Sequence, residues 1–514
     1  MNLKLKNGLL AAAVALSFAA CNNEDLPNNG GNNATNGNTY AGMHVKILTS
    51  STRNVTQNDE PGRTQESKLT SLQLLSVNGD QTWTAGTADQ DGKFWDAGSG
   101  VYTVKPWKTT AGNQDLALIF NKQTSMTPTI TNTQSYTFGR GGTDAITDIA
   151  AASTDDAFVM TSGKKQVDVK ADKDEETVKA GTNGEADNVF SVDVERIVAQ
   201  GMVAKASSLN GDTKDGKGSV DITSLTYAAV NGAVPTYLMG DNAGNRTMDN
   251  STMEYTNFTS AIHEYTDFQN AKDAATAGAK LIRLGNLLPA DGGTNENLGN
   301  YKAISVAENE TAAKKARGIY FFENSVKKTN ETENDIWTAE NKDYGFYRLA
   351  YAKVYATFTP KKVLTYNESK KALEEVDITK GTTFYKGEKD GLLYKTKADA
   401  KKSTITGAKD QKAYTYTNGK CAYRALWNRQ MNGKTLVNAD VRRNNIYLLE
   451  IDGFQGLGMP WDSSDDKDPN LPKPTDPEEP TNPENPDVEQ QDTYMRVTSK
   501  VLQWNYVKRS VTLN

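Results

Sequence analysis

The stretch that decides the fold is Val189-Phe190-Ser191-Val192-Asp193-Val194, a run rich in the β-branched and aromatic residues that favour strands. It continues through Arg196-Ile197-Val198 into Met202-Val203-Ala204, which also has strand character. Runs of the same kind come earlier in the chain, at residues 72–77, 101–104, 116–120 and 158–160. The connections between them are rich in Gly, Asn and Thr, apart from a charged segment at 168–185 that is predicted to be a loop. Short strands with turn signals at this spacing predict a β-sandwich.

The second half of the chain has the same strand-rich character with longer insertions. Strands are predicted at residues 319–322, 349–358 and 445–451, and a helix at about 260–279, where apolar residues recur at three-residue steps. A polar stretch around Asn210-Gly211 separates the two halves. We therefore predict a mainly β protein with two β-sandwich domains in tandem, residues 54–210 and 211–464, and short helical insertions in the second.

The two ends of the chain differ from these domains. Residues 9–20 form an apolar run of about a dozen residues after Lys4 and Lys6, shorter than the roughly 20 that a membrane-spanning helix needs. This pattern predicts a signal peptide over residues 1–20. The small residues before Cys21 resemble a bacterial lipobox and predict lipidation of that cysteine. At the other end, residues 465–491 are rich in Pro, Glu, Asp and Asn, which favours an extended tether.

Composition excludes several classes of function. A net charge of -6 argues against a nucleic-acid partner, because such proteins carry basic patches. With His44 and His263 as the two histidines, far apart in sequence, we expect no metal site, no cofactor and no catalytic triad. The adjacent acids Asp155 and Asp156 are interpreted as surface carboxylates, and we predict no enzymatic activity. If Cys21 is lipidated, Cys421 has no partner and is predicted to be a buried small hydrophobe.

Several further segments follow the lipobox along the chain and are considered together with it. They are residues 158–161, 194–199, 441–447 with 456–458, and 493–497. Together they resemble the Bacteroidales fimbrillins, the type V pilins, and most closely their Mfa-type major subunits. The insertions between 211 and 350 have no counterpart in this resemblance.

The resemblance implies two transthyretin-like β-domains and export as an outer-membrane lipoprotein precursor. It implies that an arginine-directed protease removes the lipidated N-terminal segment together with the first strand. The groove left behind would accept a C-terminal strand from a neighbouring subunit, which is donor-strand exchange, a form of β-augmentation. The implied partners are other copies of the chain, accessory anchor and tip subunits, and ligands on host or bacterial surfaces.

Residues 40–49 support a removable strand on their own. Their apolar side chains alternate with polar ones at a period of two, which is typical of a strand with one buried face. The residues of the apolar face are Ala41, Met43, Val45 and Ile47, and those of the opposite face include His44 and Lys46.

A cleavage site is predicted directly after this strand. Arg53 stands at the start of a polar loop that a protease could enter, and we predict cleavage between Arg53 and Asn54. Residues 21–53 would then form a lipidated propeptide that carries the removable strand. Arg63 is the second candidate, further from the end of the strand.

The predicted donor is the tail, residues 492–514. Its apolar residues on one face are Met495, Val497, Val501, Val507, Val511 and Leu513. A change of phase near Gln503 predicts two short strands with a bend between them. The alternative is that both end strands pair within one subunit, but the long tether before the tail favours exchange.

These features predict the shaft subunit of a cell-surface fimbria, a structural protein that mediates adhesion. Two alternatives stay open. The first is an anchor or tip subunit of the same superfamily, which does not polymerise. The second is a monomeric surface lipoprotein that binds glycan through its sandwich loops.

Overall fold

The computed structural model describes residues 39–47, 59–61, 63–96, 101–133, 136–139, 144–230, 232–233, 236–239, 281–282, 304–324, 350–428, 430–432, 435–438, 441–460 and 495–505. Within these ranges no helix is long and apolar enough to cross a membrane. The predicted helix at 260–279 lies outside the described residues, as do Cys21, Arg53 and Asn54.

The N-terminal part of the chain alternates strands with a few short helices. Its strands are β1 (Thr39–Ile47), β2 (Asp59–Pro61), β3 (Ser71–Ser76), β4 (Gln81–Ala85), β5 (Lys93–Asp96), β6 (Val101–Val104), β7 (Trp107–Thr109), β8 (Gly112–Phe120), β9 (Thr137–Phe138), β10 (Met160–Thr161), β11 (Lys165–Val169), β12 (Val189–Arg196) and β13 (Ala199–Lys205). Its helices are α1 (Asp144–Ala152) and α2 (Glu175–Ala180), with 3-10 turns at Thr64–Glu66 and Gly184–Asp187.

The C-terminal part is built in the same way. Its strands are β14 (Gly218–Val220), β15 (Thr226–Val230), β16 (Gly232–Ala233), β17 (Thr236–Tyr237), β18 (Leu281–Ile282), β19 (Ile304–Ser305), β20 (Ile319–Phe321), β21 (Tyr351–Pro360), β22 (Val363–Asn367), β23 (Ala372–Val376), β24 (Phe384–Gly387), β25 (Leu393–Tyr394), β26 (Ala413–Tyr416), β27 (Lys420–Leu426), β28 (Gln430–Asn432), β29 (Thr435–Asn438), β30 (Asn445–Phe454), β31 (Met459–Pro460) and β32 (Met495–Asn505). Its helices are α3 (Glu310–Lys315) and α4 (Lys397–Ala400), with a 3-10 turn at Thr417–Gly419.

The first sheet contains most strands of the N-terminal part, in the order β10-β12-β1-β6-β5-β4-β3-β8-β11, with β7 also paired to β1. Because β10 pairs with both β8 and β12, the pairings close on themselves around an apolar core. Phe94, Tyr102 and Phe120 contact one another in this core, with ring centroids 5.5 to 6.5 Å apart. The first strand of the chain is therefore an interior strand of the first domain.

Two further sheets face each other. One has the order β2-β32-β30-β13-β20, and the other has the order β19-β15-β21-β27-β31, with β14 on β21. Between them Trp427 stacks on Phe321 at 5.4 Å between ring centroids. Gly201 of β13 lies under these rings, and a Cβ there would come within 2.8 Å of both. The strand needs glycine at this position because a side chain would displace the aromatic pair.

The chain crosses from the first sheet to the second between Arg196 and Ala199, since β12 belongs to one and β13 to the other. Residues 197–198, which the sequence predicts as continuous strand, form this crossing. β13 then pairs in parallel with β30 from Gln200 to Lys205. The crossing lies upstream of the boundary predicted near Asn210-Gly211, and the domain limits stay a prediction.

A further five-stranded sheet is inserted between β21 and β27, which pair directly with each other. Its order is β23-β22-β25-β24-β26, and α4 lies beside it. Phe384 and Tyr416 stack in parallel at 4.8 Å between centroids and join this sheet to Phe358 of β21. The sequence did not predict this insertion as a separate unit.

The mainly β character is confirmed, and most predicted strands are present. The predicted run at 72–77 is β3, followed by a turn in which Gly79 has a φ of 104°. Helices also occur in the first domain: the predicted loop at 168–185 contains α2, whose six residues are too few for a periodic signal. The transthyretin-like arrangement of the domains stays a prediction.

Candidate functional site

The candidate site is the slot that β1 occupies in the first sheet. On one side β1 pairs in parallel with β12, from Gly42 opposite Val189 to Ile47 opposite Val194. On its other side it pairs antiparallel with β6 around Val45 and with β7 around Tyr40. Both edges of this strand are thus hydrogen-bonded, and its removal would leave two unpaired strand edges facing each other.

The side chains of β1 confirm the predicted alternation. Ala41, Met43, Val45 and Ile47 are each at most 1% exposed and belong to the main hydrophobic core. His44 and Lys46, on the opposite face, are partly exposed. The predicted polymerisation residues Met43, Val45 and Ile47 therefore lie together as one apolar ridge that fills the slot.

The N-terminal end of β1 is held by Asn188 and by residues of the segment 168–185, which the sequence predicts as a charged loop. Asn188, at a φ of 59°, donates from Nδ2 to the carbonyl oxygen of Tyr40 at 2.9 Å. The hydroxyl of Thr39 donates to the carbonyl oxygen of Lys170 at 2.8 Å, and the Tyr40 amide donates to the carbonyl oxygen of Lys173. The sequence pattern does not predict these hydrogen bonds, because the residues that they join are more than 130 positions apart in the chain.

Helix α2 covers β1 at Gly42. A Cβ at this glycine would come within 2.8 Å of Cγ1 of Val178, the buried residue of the helix. The helix is capped at its N-terminus by Asp174, whose side chain accepts from the Thr177 amide, and at its C-terminus by Gly181 in the left-handed region. Gly42 is therefore required by the close approach of the helix and not by its own backbone conformation.

The predicted donor segment lies in a different sheet. β32 pairs antiparallel with β30 along nearly its whole length, with Val497 opposite Ile451 and Val501 opposite Tyr447. On its other side β32 meets β2 over three residues. It runs as one strand through Gln503, where the sequence predicts a bend, and Val507, Val511 and Leu513 lie outside the described residues. In a single chain the tail and the slot are thus not brought together.

Two of the segments that carry the family resemblance, 194–199 and 441–447, meet where the chain passes from the first sheet to the second. Arg196, fully buried at the end of β12, donates from Nη1 to Oδ1 of Asn444 at 3.1 Å and from Nη2 to Oγ of Ser67 at 2.8 Å. Burial lowers the pKa of Arg196 to about 10, against the opposing effect of Glu66, so the side chain stays charged at neutral pH. Arg196 thus joins the end of β12 to the segment before β30 and to Ser67.

A second buried arginine lies next to the first. Arg443 forms two hydrogen bonds to the carboxylate of Glu323, at 2.6 and 3.0 Å, and donates to the carbonyl oxygen of Leu238 at 3.1 Å. Arg443 and Glu323 are both at most 2% exposed. A buried pair of this kind stabilises the fold only while both partners are present.

Arg63, the second cleavage candidate, is part of an ion cluster between the domains. Its guanidinium contacts Asp155 in a bidentate pair at 2.7 and 3.3 Å and Glu66 at 2.9 Å. Burial alone would lower the pKa of Arg63, but the hydrogen bond to Asp155 and the charges nearby raise it above its ordinary value. Burial likewise would raise the pKa of Asp155, but Arg63 and Arg317 outweigh it and lower that pKa. Asp155, interpreted from the sequence as a surface carboxylate, thus binds two arginines.

The remaining sequence candidates fall outside the slot. Cys421 is fully buried in β27, and burial raises the pKa of its thiol to about 12, in agreement with the prediction of a buried hydrophobe. Among the described residues no group of three or more His, Cys, Asp or Glu side chains is placed to hold a metal ion.

Comparison with known families gives one match, over residues 414–509, to the model described as "Major fimbrial subunit protein type IV, Fimbrillin, C-terminal". This range begins in β26 and includes β27, β30 and β32. It therefore contains the strand predicted to be donated and the strand on which it lies in the single chain.

Similar solved structures include a candidate cell adhesion protein from Parabacteroides distasonis ATCC 8503, with 10% identity and a TM-score of 0.42 over 92% of this chain and 99% of that one. A fimbrilin from Porphyromonas gingivalis W83 has 15% identity and a TM-score of 0.38 over 92% and 99% of the two chains. The tip fimbrial protein Mfa3 from Porphyromonas gingivalis, with a C-terminal truncation, has 12% identity and a TM-score of 0.31 over 90% and 100%.

At TM-scores below 0.5 these three similarities alone establish nothing about this chain. The family match, over residues 414–509, confirms the predicted resemblance to the fimbrillin, or type V pilin, superfamily.

Proposed function

We propose that this chain is the structural shaft subunit of a cell-surface fimbria, matured by proteolysis and polymerised by donor-strand exchange. The observation that carries the proposal is the interior position of β1, a strand followed closely in sequence by the predicted cleavage site after Arg53. The match to the C-terminal region of a major fimbrial subunit supports the same class of function.

The slot of β1 supplies the driving force for exchange. Full burial of a Val, Ile or Met side chain contributes roughly 1.5 to 3 kcal/mol, so the three large apolar side chains of β1 together contribute on the order of 5 to 9 kcal/mol. This is comparable with the whole stability of a typical domain, roughly 5 to 15 kcal/mol. A subunit that has lost β1 therefore needs another strand in the slot.

The tail is suited to fill the slot. β32 is 11 residues long, against 9 for β1, so it can pair along the full length of the groove. Strands gain main-chain hydrogen bonds at both edges of such a groove, and alternate side chains fill its floor. The proline-rich sequence at 465–491 would let the tail extend to a neighbouring subunit.

Maturation by cleavage after Arg53 explains how the slot opens. The precursor would be exported by the signal peptide at 1–20 and anchored in the outer membrane through lipid on Cys21. Cleavage would release the lipidated segment together with β1, and the mature chain would begin at Asn54. The partners of the mature subunit would then be other copies of itself, anchor and tip subunits, and surface ligands to which the fimbria adheres.

Truncation of the tail tests the proposal. A chain that ends at Gln491 should be secreted and folded but should form no fibres, as seen by electron microscopy and by the heat ladder on a denaturing gel. Val511→Asp should weaken the ladder, because a carboxylate in an apolar groove costs several kcal/mol. Thr512→Asp, which changes the neighbouring residue on the opposite face, is the matched control. Normal ladders from the truncated chain would favour the monomeric glycan-binding lipoprotein instead.

Replacement of the cleavage residue tests maturation separately. Arg53→Ala should leave lipidated, unpolymerised precursor on the outer membrane, and mass spectrometry of protein sheared from wild-type cells should find Asn54 as the N-terminus. Subunits that mostly retain lipidated Cys21 in a sheared fibre would contradict a shaft role and would indicate an anchor subunit.

A further inference from the structure

Two arginines follow β1 closely in the sequence, and the structure shows how the second is held. We propose that Arg63, Glu66, Asp155, Arg317 and Tyr320 form a clamp, called here the Arg63 clamp, that protects the Arg63–Thr64 bond from arginine-directed proteolysis. The clamp also fastens the 3-10 turn Thr64–Glu66 to β20, through Tyr320. This inference rests on the proposed maturation. It gives the reason why the protease cleaves after Arg53 and not also after Arg63.

The side chain of Arg63 is not free to enter the binding pocket of a protease. An arginine-directed protease must take up the whole guanidinium of the residue before the cleaved bond. In Arg63 this group is 15% exposed and is bound to Asp155 through two nitrogens and to Glu66 through Nε. Nη2 also donates to the Tyr320 hydroxyl at 3.3 Å. Bidentate arginine–carboxylate pairs are among the strongest hydrogen-bonded contacts in proteins.

The backbone at Arg63 is occupied as well. The carbonyl oxygen of Arg63, which belongs to the bond to be cut, accepts the Glu66 amide at 2.9 Å in the 3-10 turn Thr64–Glu66. The Arg63 amide donates to Oε2 of Glu66 at 2.9 Å, which closes the turn from the other side. Proteases bind their substrates as extended strands. Cleavage after Arg63 therefore requires the turn to unwind and the guanidinium to leave its partners.

Residues of the second domain hold the clamp closed. The carboxylate of Glu66 is fully buried and accepts from the hydroxyl of Tyr320 and from Nε2 of Gln200. Arg317 pairs with Asp155 and donates from Nη2 to the carbonyl oxygen of Ser153 at 2.9 Å. If Arg63 swung out, the buried carboxylate of Glu66 would lose the cation that is hydrogen-bonded to it, which is a costly state.

The extent of protection follows from this local opening. When opening and closing are faster than cleavage, the rate of proteolysis follows the population of the open form. Loss of one charge-assisted contact should raise that population about tenfold, since hydrogen bonds to charged groups contribute more than neutral ones. The clamp thus makes cleavage after Arg63 slow, whereas the proposed maturation cleaves ten residues earlier, after Arg53.

The test uses an arginine-specific endoprotease on the full-length chain, with mass spectrometry of the fragments over time. In the wild type, cleavage after Arg63 should be at least about tenfold slower than after Arg53. Asp155→Asn should raise the rate after Arg63 about tenfold. Tyr320→Phe should raise it too, while it keeps the ring contact with Phe158 at 5.1 Å.

Asp156→Asn is the matched control, because it removes a carboxylate one residue along that pairs only with exposed Lys68 among the ion pairs described. It should leave the rate after Arg63 unchanged. Cleavage after buried Arg196 or Arg443 reports global unfolding, and the clamp variants should leave both bonds intact. Equal rates after Arg63 in the Asp155→Asn and Asp156→Asn chains would overturn the inference, and so would a wild type cut equally fast at both sites. Neither result depends on whether fibres form, whereas the tail and Arg53 variants test the proposed function alone.

Discussion

β1 and β32 are strands at opposite ends of the chain, and the structure gives them different surroundings. β1 pairs with β12 on one side and with β6 and β7 on the other, and all of these neighbours come from distant parts of the sequence. β32 pairs with β30 along one side, while β2 covers only three residues of the other. The strand predicted to be removed is therefore interior, and the strand predicted to be donated lies near the margin of its sheet.

Because of this difference, loss of β1 and loss of β32 would affect the fold unequally. Loss of β1 would uncover an apolar groove and break pairings on both sides. Departure of β32 would leave β30 still paired with β13 in the same sheet. We therefore expect a subunit that releases its tail to remain folded, and one that loses its first strand to need a replacement.

The largest expected effect comes from removing β1 outright. A chain that begins at Asn54 and ends at Gln491 should be less stable than the matching chain that keeps residues 22–53, by on the order of 5 to 9 kcal/mol. Adding a synthetic peptide of residues 492–514 should restore much of the loss, because the peptide would fill the slot. Thermal unfolding with and without peptide measures both effects. Identical thermal unfolding midpoints for the two chains would show that β1 does not stabilise the fold as described.

A single truncation in the slot should separate precursor from polymer. Met43→Ala should lower the free energy of unfolding of the precursor by about 2 to 5 kcal/mol, because a fully buried side chain is lost. The same change should leave the heat stability of assembled fibres as in the wild type, since the residue leaves with β1. His44→Ala, on the partly exposed face, is the control for the precursor. Denaturant unfolding and the heat ladder provide the two readouts.

A smaller effect is expected at the contact between β1 and α2. Gly42→Ala should destabilise the precursor by about 1 to 3 kcal/mol, because its Cβ would press on Val178. Val178→Ala made together with it should recover part of that loss, so the two changes should not be additive. Strict additivity in denaturant unfolding would show that the helix does not pack on β1 as described.

The smallest effect is expected in the Arg63 clamp, at Asp155. Asp155→Asn should lower the stability at pH 7 by about 1 to 1.5 kcal/mol, which corresponds to the roughly tenfold rise in local opening expected for the Arg63 clamp. The effect is no larger because the carboxylate is partly exposed. The arginines lower the pKa of Asp155, so its contribution is complete above about pH 4 and is lost as the pH falls further. The wild type and the variant should therefore begin to converge in unfolding midpoint as the pH falls below about 4. A difference that grows as the pH falls would have the wrong sign for this pair.

Much of the candidate site follows from local sequence pattern. The alternation at residues 40–49 identifies the buried face of β1, because successive side chains of a strand point to opposite sides. The same reasoning located β3, β6, β12 and β30, since their apolar residues need a core on at least one side. This reasoning did not predict the inserted sheet at 363–416, because short strands of mixed composition carry no domain signal of their own.

The sequence by itself determined the strand-rich class, the amphipathic first strand and the two candidate arginines. Only the tertiary structure decided that β1 lies between β12 and β6, because a period of two specifies a face and not a partner. It also decided that Arg63 lies in a cluster with Asp155, Glu66 and Tyr320. The charge of an arginine is visible in the sequence, but its burial depends on residues that are as many as 257 positions away along the chain.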